Sequence, residues 1–207
     1  MLVRDCMKSD LITTTAKSPL VDAFATLQKH SIRHLPVVEG DKLVGLLSDR
    51  NLRLAMLPGR GRSGHSYRFP KGATVAQVMI PDPITVTPYH PVEDAAILLH
   101  DYKLGCLPVV ESDRLVGVIT VVDILAIFIE LLGLIQESSR IDIQLRAGQS
   151  LAQMLRDLRQ HDVDILSISI SKIEAGERVY HLRLQTEDAP GVTAELRKRG
   201  YQVLGTY

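Results

Sequence analysis

The chain has 207 residues, of which 24 are basic and 24 acidic, so it could hold one large domain or two to three small ones and has no formal net charge. This charge balance disfavours duplex nucleic acid or an anionic membrane as a partner. Cys6 and Cys106 lack metal-ligand spacing, so we expect free thiols and no metal site, and the N-terminal residues have no signal-peptide pattern. These features predict a cytoplasmic protein.

A repeat organises the first part of the chain. Residues 3–57 align with residues 75–129 at a constant offset of 72 and without a gap. A repeated unit of this length is too short to bury a large core alone, so we expect the two copies to pack about a pseudo-twofold axis. The cleft between the copies is the expected place for a ligand.

The order of predicted elements is the same in both copies. In the first copy, a short helix at residues 3–7 is followed by a strand at residues 12–14, where β-branched residues favour extended backbone. Pro19 then opens a helix with apolar residues at helical spacing. Two apolar strands follow, and a last helix begins at Ser48, so the pattern β-α-β-β-α is predicted twice.

Residues 59–72 lie between the copies and are rich in glycine and basic side chains. This composition predicts a flexible connector. The alternative is that its arginines fold over an anionic ligand.

An apolar run at residues 121–135 closes the second copy. It is shorter than a membrane span and is interrupted by Asp123 and Glu130. We therefore predict a helix buried on nearly all sides, by the repeat core on one face and by a second subunit on another.

The sequence pattern changes in residues 138–207. Alternating apolar and polar residues predict strands, and two segments with helical spacing lie between them. The resulting order β-α-β-β-α-β is typical of a ferredoxin-like sandwich.

The closing motif of the second copy supports two explanations. Gly117 is followed by Thr120 and Asp123, and a hydroxyl followed three residues later by an acid caps a helix without any ligand. The alternative is a binding site, because the helix start presents free N–H groups beside a glycine and the arrangement occurs twice. Thr120 would then bind phosphate, and Asp123 would accept hydrogen bonds from a ribose diol.

With these motifs both copies resemble CBS domains, the cystathionine-β-synthase motif that occurs in pairs and senses adenosine ligands. The resemblance implies one domain at residues 1–58 and a second at 73–135. It also implies that the closing Ser/Thr and Asp hold ribose and phosphate, while the first strand and the residues around the proline hold adenine. By match, the nucleotide-binding residues of the second copy are Ile84, Thr85, Val86, Gly105, Cys106, Leu107, Pro108, Thr120 and Asp123.

The first copy departs from the CBS pattern, because Asn51 stands where the aspartate belongs. An amide is uncharged and a poorer double acceptor, so this second site is expected to be weaker or empty. Its basic residues have small or apolar counterparts in the second copy and are expected to bind the negative charge of a phosphate. The predicted residues of this site are Thr13, Arg33, His34, Pro36, Ser48, Arg50 and Asn51.

The C-terminal segment resembles an ACT domain, a regulatory module that often binds amino acids at the turn after its first strand. Gly148 fits that turn, but the usual acidic residue before it is missing, which disfavours amino-acid binding. A CBS pair followed by an ACT-like domain resembles the acetoin-utilisation accessory proteins of bacteria.

The combined prediction is an α/β (α+β) fold, with a tandem CBS-domain pair of pseudo-twofold symmetry and a C-terminal ferredoxin-like (ACT) domain. The expected function is a homodimeric sensor in which AMP, ADP or ATP, or alternatively NAD or S-adenosylmethionine, changes domain geometry to control an unidentified partner protein. We expect no metal at His30 and His34, since they are placed on different elements. We expect no required cofactor and no catalytic residue, since Ser48 and Thr120 have no histidine at a fixed spacing. A scaffold without a ligand is the main alternative, and an enzyme is the weaker one.

Overall fold

The structure, a computed structural model, describes residues 1–58, 67–146, 148–161, 163–172 and 178–207. The chain forms two compact units, Met1–Ile124 and Leu125–Tyr207. Residues 59–66 of the predicted connector and the predicted turn at residues 174–177 lie outside the described residues.

Both copies of the repeat have the predicted order of helices and paired strands. The first contains a 3₁₀ turn at Val3–Asp5, α1 (Leu20–His30), β1 (His34–Glu39), β2 (Lys42–Ser48) and α2 (Asp49–Leu54). Two short strands, β3 (Leu57–Pro58) and β4 (Tyr67–Arg68), then pair antiparallel. The second copy contains a 3₁₀ turn at Val75–Gln77, β5 (Ile80–Pro81), α3 (Val92–Asp101), β6 (Cys106–Glu111), β7 (Arg114–Thr120) and α4 (Val121–Leu131).

The strands predicted at residues 12–14 and 84–86 are not full strands. Each segment makes a single parallel bridge, Thr14 to Val37 and Val86 to Val109. The chain then leaves the sheet in a tight turn, in which the Ser18 amide donates to the Thr15 carbonyl at 3.1 Å. Extended backbone is therefore present, as β-branched residues favour, but the turn stops it from growing into a strand.

The two copies pack about a pseudo-twofold axis. Their strands form one sheet in the order β1-β2-β7-β6, joined at the centre by Lys42 opposite Arg114, which the 72-residue offset relates to each other. The copies also exchange their N-terminal segments. Residues 80–81 pair with β2 of the first copy, and Lys8 forms the equivalent bridge to Val118 of the second.

The helix α1 shows why this arrangement is stable. It buries Leu20, Ala23 and Leu27 against the sheet, and it ends where Ser31 adopts a left-handed conformation with φ of 53°. Burial of each leucine side chain contributes roughly 1.5–3 kcal/mol.

The helix α4 is less buried than its composition predicts. Ile124 and Ile127 are buried, but Val122, Leu125 and Phe128 are 70%, 56% and 50% exposed. Within the single chain only one stripe of the helix is covered, and burial of its other face by a second subunit stays a prediction. Among the described residues, no helix is long and apolar enough to cross a bilayer.

The second unit has the predicted order β-α-β-β-α-β. Its elements are β8 (Ser139–Gln144), α5 (Leu151–Leu158), β9 (Asp164–Lys172), β10 (Arg178–Gln185), α6 (Ala189–Lys198) and β11 (Gln202–Thr206). The sheet is antiparallel with the order β11-β8-β10-β9, which is the ferredoxin-like arrangement. Its core is formed by one face of the sheet and the apolar sides of both helices.

Candidate functional site

A cavity of about 820 Å³ lies in the first unit, between the end of α1, the start of α2 and the loop before β6. This volume falls within the roughly 300–1,000 Å³ that small-molecule sites occupy. Predicted site residues from both copies line it, namely Arg33, His34, Ser48, Arg50, Asn51, Gly105 and Cys106. The structure therefore brings five residues of the predicted second site together with two residues of the predicted main site.

Asn51 presents a hydrogen-bond donor rather than an acceptor to its surroundings. Its side-chain oxygen accepts from the Ser48 backbone N–H at 3.2 Å, and the Asn51 backbone N–H donates to the Ser48 hydroxyl at 3.2 Å. Since a backbone N–H can only donate, the atom that faces it must be the oxygen. The Asn51 NH₂ group has no hydrogen-bond partner among the described residues, so it remains available to an acceptor on a ligand.

The charged side chains of the cavity wall are predominantly cationic. Arg33, Arg50 and Lys103 line it and form no ion pair with a described residue. Arg53 also lines it, but its guanidinium is paired with Asp49 at 2.6 Å. A wall with this excess of positive charge favours an anionic ligand.

His34 lies against Gly105 inside this cavity. A Cβ atom on Gly105 would come within 2.7 Å of His34 Cε1, so the ring fits only because residue 105 has no side chain. Burial lowers the pKa of His34 below its usual value, and the charge of Arg33 lowers it further. The imidazole is therefore neutral at neutral pH and acquires charge only on acidification.

Cys106 contributes a buried thiol beside His34. It is 3% exposed, and burial, together with the nearby charge of Asp123, raises the pKa of this thiol to about 12. A thiol in this state is not a nucleophile at neutral pH.

The closing motif of the second copy has a different arrangement of charges. Asp123 Oδ2 accepts from the Thr120 amide at 2.8 Å and from the Thr120 hydroxyl at 2.6 Å, which caps α4. Its other oxygen lies 3.0 Å from Lys8 Nζ. Neither Thr120 nor Asp123 is among the residues that line the large cavity.

Lys8 is a candidate site residue that the sequence pattern alone does not identify. At the 72-residue offset, Lys8 corresponds to Ile80 and Asp123 corresponds to Asn51. Each pair spans the two copies, and the charged pair Lys8 and Asp123 corresponds to the uncharged pair Ile80 and Asn51. This joint difference is visible in the sequence once the two copies are aligned, but its meaning depends on knowing that the N-terminal segments are exchanged.

The remaining predicted residues lie along the strands and bridges around these sites. Val86, Leu107 and Pro108 are buried, as is Pro36, whereas Thr13 and Thr85 are exposed and Ile84 is 38% exposed. None of these residues lines the large cavity. Their assignment to adenine recognition stays a prediction.

The two histidines of the first copy lie on different elements. His30 lies on α1 and His34 on β1, as predicted. In the part of the chain that the structure describes, no group of three or more histidine, cysteine, aspartate or glutamate side chains could hold a metal ion.

Comparison with known proteins gives one family for the first part of the chain. The model of the CBS domain matches residues 3–58 and 75–130. A CBS domain-containing protein of Dictyostelium discoideum is 34% identical over 139 residues, which are 64% of this chain and 94% of that protein.

Solved structures similar to the chain include two that it covers over most of their own length. One is a Vibrio cholerae protein assigned to acetoin utilization (AcuB), with 35% identity and a TM-score of 0.55 over 66% of this chain and 98% of that one. The other is the CBS domain pair of protein MJ0100, in complex with 5′-methylthioadenosine and S-adenosyl-L-methionine. It has 29% identity and a TM-score of 0.52 over 62% of this chain and 95% of that one.

Proposed function

Because the chain belongs to the CBS-domain family, we propose that it is a regulatory sensor of an adenosine-containing ligand rather than an enzyme. The CBS pair of MJ0100 holds two adenosine-containing ligands, which supports this class of ligand. The observation on which the proposal depends most is the cationic cavity that both copies line.

The chemistry of this cavity favours a phosphate-bearing ligand. Asn51 offers a donor where an aspartate would offer an acceptor, and Arg33 and Arg50 supply charge for phosphate oxygens. AMP, ADP and ATP satisfy these groups, while uncharged 5′-methylthioadenosine leaves the cations without a partner. We therefore expect affinity to increase with the number of phosphates.

The predicted main site at Thr120 and Asp123 has a different requirement for its ligand. A ribose diol that binds Asp123 must take the oxygen that Lys8 now contacts at 3.0 Å. Lys8 is 62% exposed, so this ion pair is screened by water and can be displaced. We expect this position to recognise the ribose, and the large cavity to recognise phosphate.

Isothermal titration calorimetry of the purified chain with AMP, ADP, ATP, NAD and S-adenosylmethionine tests the proposal. Replacing Arg50 by alanine should weaken ATP binding by about tenfold to a hundredfold, since a hydrogen bond to a charged group contributes roughly 1.5–3 kcal/mol. Lys17→Ala is the matched control, because Lys17 is an exposed cation of the same unit outside the cavity.

The outcomes separate the classes of function. Binding that is weakened by Arg50→Ala or Asp123→Ala and unaffected by Lys17→Ala supports the sensor. Turnover of a nucleotide would favour an enzyme. If none of the five compounds binds, the proposal fails and a scaffold that needs no ligand is favoured.

The regulatory step in this proposal is a change of dimer geometry that a cytoplasmic partner protein detects. The exposed apolar residues of α4, Val122, Leu125 and Phe128, supply a surface through which two copies can associate. The ferredoxin-like unit is assigned the part of an ACT-like regulatory module, on the basis of its strand order. For the ligand to act, its affinity must differ between the two states.

Two measurements test this step. Light scattering should give the mass of a dimer, and Leu125→Glu should shift the protein to a monomer. Small-angle scattering with and without saturating ATP should then differ. A monomeric wild-type chain, or scattering curves that do not differ, would contradict the switching mechanism while leaving the binding site intact.

A further inference from the structure

The sheet of the second unit has one polar face. Strands β8 and β10 direct Ile141, Ile143, Leu182 and Leu184 into the core that the helices cover. The alternate positions bear polar side chains, and the register places Asp142 opposite His181 and Arg140 opposite Arg183. On the neighbouring strand β9, Ser169 lies opposite His181 and Ser167 opposite Arg183. These residues lie outside the repeat and have no role in the proposed nucleotide site.

A chain of hydrogen bonds fixes the position of His181. The Ser171 hydroxyl is 2.8 Å from His181 Nε2, and His181 Nδ1 is 2.8 Å from Asp142 Oδ1. Arg140 binds both oxygens of the same carboxylate, at 2.8 Å and 2.7 Å. Ser171, His181 and Asp142 therefore stand in the order of a serine-hydrolase triad. However, Ser171 lines neither of the two cavities described, so we assign these hydrogen bonds the role of holding the ring in place rather than activating Ser171.

A cavity of about 300 Å³ lies beside this chain of hydrogen bonds. One wall consists of Arg183, His181, Ser167 and Ser169 together with Arg140, and the other of Leu132 and Leu134. The leucine wall is attached to the sheet, since the Ser167 hydroxyl donates to the Leu132 carbonyl at 3.0 Å. The cavity is thus polar and cationic on one side and apolar on the other.

Two of the polar groups in this wall are available to a ligand. Arg183 donates to the Ser138 hydroxyl at 3.0 Å but forms no ion pair with any described residue. The Ser169 hydroxyl has no hydrogen-bond partner in the described part of the chain. Because the positive charge of Arg140 is balanced by Asp142 while that of Arg183 is not, the wall has an excess of positive charge.

We propose that this cavity binds a small aliphatic monocarboxylate, with the carboxylate on Arg183 and Ser169 and the hydrocarbon against Leu132 and Leu134. A guanidinium and a hydroxyl suit a carboxylate, and the leucines remove an aliphatic chain from water. The volume equals that of about ten water molecules in the liquid, which admits an acid of about four to six carbons. The cavity shares no lining residue with the larger cavity of the first unit.

Titration of the full chain with isovalerate, monitored by saturation-transfer NMR and calorimetry, tests this site. The neutral isovaleramide has the same shape without the charge, and inorganic phosphate has the charge without the hydrocarbon. We expect isovalerate to bind and both comparison compounds to bind at least about tenfold more weakly. No binding of isovalerate, or equal binding of isovaleramide, would overturn the proposal, and preferential binding of phosphate would show a plain anion site instead.

Variants locate the binding. Arg183→Gln should weaken isovalerate binding by about tenfold or more, whereas Arg178→Ala, which removes an exposed cation from the same strand outside the cavity, should leave it unchanged. If Arg183→Gln does not fold, Leu134→Asp replaces it, because Leu134 is 46% exposed and tolerates a polar group. A carboxylate there should repel the ligand. Wild-type affinity in a folded form of either variant would refute the site.

Discussion

Replacing Lys8 by alanine tests how the carboxylate of Asp123 is used. At 3.0 Å the two charges attract by about 1.4 kcal/mol in water, but ordering a side chain that is 62% exposed offsets most of this. Exposed ion pairs contribute about 0–1 kcal/mol, so Lys8→Ala should lower the free energy of unfolding by no more than about 1 kcal/mol. The same change releases one oxygen of Asp123 for a ribose diol. Binding of a ligand that uses this oxygen should strengthen by up to about fivefold.

Adenosine is the informative ligand for this test, because it has the diol but no phosphate that Lys8 could also contact. Calorimetry should show tighter adenosine binding to Lys8→Ala than to the wild type or to the Lys17→Ala control. The gain should vanish in the double variant Lys8→Ala/Asp123→Ala. Unchanged adenosine affinity in folded Lys8→Ala, or a gain that persists without Asp123, would show that this carboxylate serves only its own helix.

Three further predictions follow from pKa values. Burial and the charge of Arg33 lower the pKa of His34, and a bound phosphate should raise it. ATP affinity should therefore increase between pH 8 and about pH 6, and calorimetry in buffers of different ionisation heat should show proton uptake. His34→Gln should abolish this pH dependence. Burial raises the pKa of Cys106 to about 12, so its thiol should resist Ellman's reagent at about pH 8 until the chain is unfolded, and rapid reaction of two thiols in the native protein would contradict this. The pKa of Asp142 is lowered chiefly by the hydrogen bond from Arg140. This carboxylate therefore stabilises the fold above about pH 4, and its contribution is lost as the pH falls through the lowered pKa. Thermal melts of Asp142→Asn should show a smaller loss of stability in acid than those of the wild type.

The repeat explains why much of the fold could be predicted from the sequence. Two aligned copies report the same elements twice, so the helices after Pro19 and Pro91 and the paired strands around Pro36 and Pro108 were each supported by two segments. The turn after Thr14 was not anticipated, because β-branched residues favour extended backbone but do not determine how long it continues.

The candidate sites were less predictable because they depend on contacts between distant segments. The closing motif directed attention to Thr120 and Asp123, but the large cavity opens beside Asn51 in the other copy. The Lys8 pairing requires the exchange of N-terminal segments, which no local pattern encodes. In the second unit, alternation places Asp142 and His181 on the polar face, but only the strand register makes them neighbours.

The exchanged N-terminal segments have a consequence for how this architecture can be inherited. Met7 lies against Gly117 of the other copy, and Met79 lies in the same way against Gly45, so each half is completed by a piece of its twin. Recombination that moved a single half into another gene would leave it without its complement and with a sheet edge uncovered. Recombination events that survive selection should therefore have moved both copies together as one unit.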